Sequence, residues 1–291
     1  MADIERLLIK AEAVLDRLET LLPSRPAAPD WSALAWRWQH QHGRGYLQAV
    51  AHPHRIRLDD LHHLEEQKAT IVRNTEQFVR GLPANNVLLT GARGTGKSSL
   101  VKALLSEFSG QGLRLVEVEK QDLHVLPEIV ELIRSRPERF IVFCDDLSFE
   151  AGESGYKALK VVLDGTLAAT SDNVLVYATS NRRHLLPEYM SENLETQHLG
   201  DEIRPGDSTE EKISLSERFG LWLSFYAFDQ EEYLQIARAW LADHGVTDWD
   251  EDVRRAALRF SLERGARSGR VAYQFARDYA GRQGLARAKK K

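Results

Sequence analysis

Val87-Leu88-Leu89-Thr90-Gly91-Ala92-Arg93-Gly94-Thr95-Gly96-Lys97-Ser98 is the stretch of sequence that decides the fold class. Residues 87–90 form an apolar run that predicts a buried β strand, and residues 99–108 follow with a helical pattern. Between them, residues 91–98 fit the phosphate-loop pattern G-x-x-x-x-G-K-[ST]. Three glycines let backbone N–H groups converge on phosphate oxygens, and the following helix adds the positive end of its dipole. The stretch therefore predicts a strand, a phosphate loop and a helix in that order.

The loop also predicts its ligands, ATP and Mg²⁺. Lys97 is expected to reach the β- and γ-phosphates, and Ser98 to place its hydroxyl on Mg²⁺, because phosphoryl chemistry needs a metal to neutralise charge on the γ-oxygens. The residues expected to bind the nucleotide are Gly91, Ala92, Arg93, Gly94, Thr95, Gly96, Lys97, Ser98 and Ser99. A glycine turn with a purely structural role is the alternative.

A second apolar run, residues 140–144, ends in two carboxylates, Asp145 and Asp146. This is the pattern of a buried strand whose carboxyl end opens at a ligand crevice. We expect Asp145 to join Ser98 as a magnesium ligand. Asp146 is the candidate to orient or deprotonate the attacking water, with Glu150 as its rival. A solvated turn after a strand is the alternative reading.

A third apolar run, residues 174–178, continues into Thr179, Ser180 and Asn181. At this position Asn181 is a candidate to hold a water against the γ-phosphate.

Strand-like and helical patterns alternate through the middle of the chain. This alternation predicts a parallel sheet covered by helices, followed by a small helical domain. The predicted strands are 87–90, 113–118, 140–144, 174–178 and 221–228, and the predicted late helices are 229–243, 251–264 and 269–281. The predicted domains are an N-terminal helical region and connector (1–57), an α/β nucleotide-binding domain (58–228) and an α-helical lid (229–291).

These features together resemble the AAA+ ATPases. They also include a Ser216-Glu217-Arg218-Phe219 element and a late Gly269-Arg270 on the helical domain. Within the superfamily, residues 58–280 are most similar to a little-characterised bacterial family of predicted AAA+ ATPases, known only as a domain of unknown function. The matching stretches are Asn85-Asn86-Val87-Leu88-Leu89 with its loop, Phe143-Cys144-Asp145-Asp146-Leu147-Ser148-Phe149-Glu150, Ala178-Thr179-Ser180-Asn181-Arg182-Arg183-His184, and residues 213–223.

The resemblance implies roles for two arginines. Arg218 looks like the arginine finger that enters the ATP site of a neighbouring subunit, which implies a homo-oligomer. Arg270 looks like the lid arginine that senses the γ-phosphate in its own subunit, and Arg267 is the alternative for that role. The pair Asp145-Asp146 also resembles bacterial replication initiators and helicase loaders, whereas many AAA+ members have Glu after the first Asp.

The first 57 residues are harder to interpret. Apolar residues at heptad-like steps over residues 4–22 predict a helix that packs on its own protein or pairs with a partner. Residues 23–57, rich in proline, tryptophan and histidine, are expected to form an irregular, separately packed connector. The clustered histidines between His40 and His63 suggest a metal site, but their spacing favours solvated or nucleotide-adjacent side chains.

Composition limits the setting and the partners. The 291 residues carry 43 acidic and 39 basic side chains, so no global field draws the chain to nucleic acid or membrane. Residues 252–291 nevertheless hold 12 lysines and arginines against three acids, a basic lid for nucleic acid or for an acidic neighbour in a ring. Cys144 is the one cysteine, charges interrupt residues 1–22, and no apolar stretch is long enough to span a membrane. A cytoplasmic protein is expected.

The sequence thus predicts an ATPase that hydrolyses ATP with Mg²⁺ as an oligomer and remodels a protein or nucleic-acid client. One alternative is a slow-hydrolysing switch or scaffold whose nucleotide state sets partner binding, which Asp146 in place of Glu allows. A small-molecule kinase would share the loop without needing Asn181, Arg218 and Arg270.

Overall fold

The computed structural model describes residues 28–41, 43–149, 154–164, 171–181, 197–199, 202–204 and 215–288, together with residues 4, 5 and 10. Its strands are β1 (Ala35–Gln41), β2 (Arg44–Ala49), β3 (Val87–Gly91), β4 (Leu113–Val118), β5 (Arg139–Cys144), β6 (Val174–Ser180), β7 (Gln197–Leu199), β8 (Glu202–Arg204) and β9 (Leu221–Phe225). Its helices are α1 (Glu65–Val79), α2 (Lys97–Phe108), α3 (Leu126–Ile133), α4 (Ser154–Asp164), α5 (Gln230–Asp243), α6 (Glu251–Glu263) and α7 (Gly269–Ala288).

Seven strands form one sheet in the order β2-β1-β4-β5-β6-β3-β9. All neighbours pair in parallel except β1 and β2, which form an antiparallel hairpin. The strand of the phosphate loop, β3, therefore lies between β6 and β9, with the ends of β5 and β6 beside it. This confirms the predicted α/β class with a parallel sheet, and it gathers the polar strand ends at one edge.

Helices cover both faces of the sheet. Residues of α1 and α2, such as Ile71 and Leu104, share one hydrophobic core with one face of the sheet, whereas residues of α3 and α4, such as Ile129 and Leu159, share the core on the opposite face. The strands are buried on both sides, as their nearly uninterrupted apolar runs predict. Burial raises the pKa of the Cys144 thiol to about 12, as befits a small core residue.

The expectation of an irregular, separately packed connector over residues 23–57 is wrong for its central part. Residues 35–49 form the β1–β2 hairpin, and β1 pairs in parallel with β4, where Trp36 lies opposite Val116. The physical reason is a period-two pattern: Trp36 and Trp38 are buried while Arg37, between them, bonds Glu117 on β4. The surrounding prolines and histidines obscured this short alternation.

The lid is built from α5, α6 and α7 around its own hydrophobic core, which includes Tyr233 and Phe275. The Asp229 carboxylate accepts a hydrogen bond from the backbone N–H of Glu232, and the Glu232 carboxylate accepts one from the backbone N–H of Asp229, so a capping box fixes the start of α5. The three predicted lid helices are present; the bounds of α5 and α6 agree within one residue, whereas α7 continues seven residues beyond its predicted end at residue 281. The division of the chain at residues 57 and 228 stays a prediction.

The N-terminal helix predicted over residues 4–22 falls mainly outside the described residues. So does the stretch between Asn181 and Leu215, apart from the β7–β8 hairpin. Within the part of the chain that the structure describes, no helix is both long and apolar enough to cross a membrane.

Candidate active site

The phosphate loop begins at Gly91, the last residue of β3, where any larger residue would force the backbone of β9 to shift. Gly91 has a φ of +131°, and a Cβ there would lie 1.8 Å from the carbonyl oxygen of Phe225 on β9. Gly96, with a φ of +102°, turns the chain into α2. These left-handed backbone positions explain why glycine is required at both points of the motif.

Lys97, the first residue of α2, is buried inside the curve of the loop. Its ammonium group donates hydrogen bonds to the carbonyl oxygens of Gly91 (2.8 Å) and Ala92 (2.7 Å), and to Oδ1 of Asn181 (3.0 Å). Desolvation lowers the pKa of Lys97, and the nearby carboxylates of Asp146 and Asp145 oppose that shift. The lysine thereby ties the loop to the end of β6.

Asp145, at the end of β5, accepts two short hydrogen bonds on the same oxygen. The hydroxyl groups of Ser98 and Thr179 each lie 2.6 Å from its Oδ1. Thr179 also accepts a hydrogen bond from the backbone N–H of Asp146 at 2.9 Å. The sequence analysis singles out Ser98 and Asp145 but gives Thr179 no role. On the neighbouring strand β6, Ala178 pairs with Cys144, so the next residue, Thr179, lies beside Asp145.

Ser98 and Asp145 fit a magnesium ion. Their oxygens are adjacent, both are hard donors, and Mg²⁺ in phosphoryl-transfer sites usually takes one or two protein ligands beside phosphates and water. The described residues contain no group of three or more His, Cys, Asp or Glu side chains that can hold a metal. The clustered histidines accordingly gain no support as a metal centre; His40 instead bonds Asp122 at 2.7 Å.

Asp146 adopts a left-handed backbone conformation, with a φ of +54°. Its side chain is exposed, the amide of Asn181 donates to its Oδ1, and Nη2 of Arg93 lies 3.8 Å from its Oδ2. Residues other than glycine rarely adopt this conformation, and those that do are often found at functional sites. Its rival as the water-positioning carboxylate, Glu150, lies outside the described residues.

These residues line one side of an open cleft of about 740 Å³ between the sheet and the lid. The other walls come from the segment before α1 and from the lid. The cleft includes His54 and His62 of the histidine cluster. Its residues that the sequence analysis does not single out are Arg55, Ile56, Asp60, Leu61, Leu64, Phe228, Ile236, Trp240 and Tyr273. The placement of His54 and His62 fits the reading of nucleotide-adjacent histidines.

Two aromatic side chains of the lid line the cleft. The rings of Trp240 on α5 and Tyr273 on α7 are edge to face, with centroids 4.9 Å apart. The sequence does contain an indication of Tyr273. It follows Arg270 by three residues on one helix, and residues at this spacing share a helix face.

The three candidate arginines take different places. Arg270 lines the cleft, and its backbone N–H points to the carbonyl oxygen of Gly94 at 3.4 Å. Arg267 is exposed and does not line the cleft. Arg218 lies outside the cleft lining of its own chain and donates to Asp164 at 2.6 Å.

A phosphate-loop motif at the carboxyl edge of this parallel sheet, with a helical lid across the cleft, is the architecture of the AAA+ fold. The sequence matches the family described as "Protein of unknown function (DUF815)" over residues 31–283, and the chain belongs to that family. No curated protein matches the chain.

Solved structures that are similar include the Thermotoga maritima RuvB Holliday junction branch migration motor (17% identity, TM-score 0.47) and an arginine-to-alanine variant of that RuvB (15%, TM-score 0.50). Both matches cover 76% of this chain and 63% of the RuvB chain, so this chain spans less than two thirds of those proteins. A chain of the E. coli MS115-1 HORMA:CdnC:Trip13 complex matches at 14% identity and TM-score 0.48, covering 76% of this chain and 90% of that one. Such identities make this a likeness of fold.

Proposed function

We propose that this protein is an ATPase that hydrolyses ATP with Mg²⁺ as a homo-oligomer and uses the energy to remodel a protein or nucleic-acid client. The observation that carries the proposal is one connected network of side chains at the sheet edge. It joins the loop lysine, the serine and aspartate that fit Mg²⁺, and the Asn181–Asp146 pair.

Each member of the network has a role in the proposed reaction. Lys97 holds the β- and γ-phosphates, and Mg²⁺ held by Ser98 and Asp145 supplies charge neutralisation at the phosphate oxygens. Asn181 and Asp146 position a water molecule for in-line attack on the γ-phosphorus. The bond from phosphorus to the ADP oxygen breaks, and Asp146 accepts a proton of the water.

The proposed site is completed by a second subunit. Arg218 is held by Asp164 at a place that does not line its own cleft, which suits a residue that serves a neighbouring protomer. An arginine supplied in trans stabilises the charge that develops on the transferred phosphoryl group and contributes about 10³- to 10⁵-fold to the rate.

The test is the steady-state ATPase rate per subunit over a wide range of protein concentration, for the wild type, Asp146→Ala and Arg218→Ala. We expect the specific rate to rise with concentration and both variants to lose turnover while Arg218→Ala still binds ATP. Arg254→Ala is the matched control, because Arg254 also holds an ion pair at 2.6 Å, with Glu231, outside the cleft. Normal turnover in Arg218→Ala would refute the finger role.

A second candidate function is the slow-hydrolysing switch or scaffold. Both carboxylate oxygens of Asp146 already face partners, Asn181 and Arg93, and the aspartate side chain is one methylene shorter than a glutamate. Tight ATP binding with turnover near zero at every protein concentration would favour this candidate, and partner capture with and without ATP would be the next experiment.

Nucleic acid and protein both remain proposed clients. Four arginines of the basic lid are paired with acidic side chains, which reduces the positive surface on offer: Arg254 with Glu231, Arg255 with Asp252, Arg259 with Glu263, and Arg282 with Asp278.

A further inference from the structure

We propose that Arg93, in the phosphate loop itself, detects the γ-phosphate of the ATP bound to its own subunit. Its guanidinium group leaves the Asp146 carboxylate and binds the γ-phosphate. The inference rests on the proposed function, because it names a residue that distinguishes ATP from ADP at the same site. This role differs from that of Arg218, which acts from a neighbouring subunit, and from that of Arg270, which acts from the lid.

Arg93 is the third residue of the phosphate-loop motif. The intervening positions of G-x-x-x-x-G-K-[ST] hold phosphate through backbone N–H groups and require no particular side chain. The motif therefore does not require the cationic side chain of Arg93, which can have a separate function. This side chain is 77% exposed and lines the cleft beside Asp145 and Asp146.

The charged partner of Arg93 in this structure is Asp146. Its Nη2 lies 3.8 Å from Oδ2 of Asp146, while Asn181 donates to Oδ1 of the same carboxylate. The pair of Arg93 and Asp146 is long and solvent-exposed, so it is a weak ion pair. A triphosphate with Mg²⁺ carries more negative charge than one carboxylate and offers three γ-oxygens to a guanidinium group, so it competes well for Arg93.

Charged side chains converge in the cleft. Its lining includes the cations Arg93, Lys97 and Arg270 and the carboxylates Asp145 and Asp146. The γ-phosphate is the part of ATP that would lie among them. Movement of Arg93 to the γ-phosphate frees Oδ2 of Asp146 to face the attacking water, and loss of that phosphate returns Arg93 to Asp146.

The experiment measures the dissociation constants of Mg·ATP and Mg·ADP and the turnover number for the wild type, Arg93→Ala and Arg93→Lys. Arg93→Ala is expected to weaken ATP about tenfold or more, to change ADP by less than about twofold, and to lower turnover at saturating ATP. Arg93→Lys restores part of the preference for ATP, because it keeps the charge and loses the forked geometry. Arg73→Ala, an exposed arginine on α1 outside the cleft, is the control.

The outcomes separate this inference from the proposed function. A wild type that binds neither nucleotide contradicts the proposed function. A wild type that binds and hydrolyses ATP while Arg93→Ala keeps its ATP-to-ADP preference and turnover overturns the role of Arg93. If Arg93→Ala and Arg93→Lys bind ATP and ADP equally more weakly than the wild type, the role of Arg93 is also overturned, because a residue that only holds the loop in shape would affect both ligands. The thermal unfolding curve of each variant checks that it is folded.

Discussion

The two ends of the cleft are built in opposite ways. At the phosphate end, residues from one loop and from two neighbouring strand ends are joined by hydrogen bonds of 2.6 to 3.0 Å, as between Ser98 and Asp145 or between Lys97 and Asn181. We predict that the nucleobase lies at the other end, where it could use cleft residues such as Ile56 and His62 from the segment before α1 and Trp240 and Tyr273 from the lid. Phosphates demand fixed donors at fixed places, whereas a base needs only a flat, mostly apolar slot that many side chains can supply.

The largest effect is expected from Lys97→Ala, which removes the one ammonium group within the loop. We expect ATP and ADP to bind at least about 100-fold more weakly, because each charge-assisted hydrogen bond to a phosphate contributes about 1.5 to 3 kcal/mol. Lys102→Ala, five residues further along the same helix, is the control. Isothermal titration with both nucleotides makes the measurement. Wild-type affinity in Lys97→Ala would mean that the loop is not the phosphate site, and the comparison of the two ends would fall.

This difference also explains what the sequence could and could not predict. Gly91, Lys97 and Asp145 were marked because phosphate and Mg²⁺ chemistry restricts each position to one or two residue types. Thr179 was seen only as part of a strand end, since its role depends on which strands are neighbours. The predicted nucleobase end has no sequence motif, because nothing in the chemistry fixes residue types or spacing between residues as distant in the chain as Ile56 and Tyr273.

The β1–β2 hairpin was missed for a related reason. Two buried tryptophans with one arginine between them are too short an alternation to stand out among prolines and histidines. Its pairing with β4, which comes more than 60 residues later, is a long-range contact that only tertiary structure specifies.

An intermediate effect is expected where the lid meets the phosphates. Arg270 lines the cleft and Arg267 does not, so we predict that Arg270→Ala weakens ATP about 10- to 30-fold and ADP far less, whereas Arg267→Ala binds both like the wild type. The matched pair of variants lies on the same short stretch of the lid, which controls for surface charge. Competition binding with ATP and ADP decides it. The reverse pattern would give the sensor role to Arg267 and would require the lid to turn relative to this structure.

The smallest effect is expected at the nucleobase end, and it tests the comparison most directly. Tyr273→Ala removes a ring that is 36% exposed and packs edge to face on Trp240. We expect about fivefold weaker binding, the lower range of base–aromatic contacts at about 1 kcal/mol, and an equal loss for ATP and ADP because both carry the same base.

Inorganic triphosphate makes this last prediction decisive, since it has phosphates and no base. If the two ends act separately, Tyr273→Ala binds triphosphate like the wild type, Lys97→Ala does not bind it, and Tyr273→Phe keeps the wild-type affinity for ATP. A loss of triphosphate affinity in Tyr273→Ala would mean that the ring acts by holding α7, and with it Arg270, against the loop. The nucleobase end would then be a support for the phosphate end, because Arg270 and Tyr273 share one helix face only three residues apart.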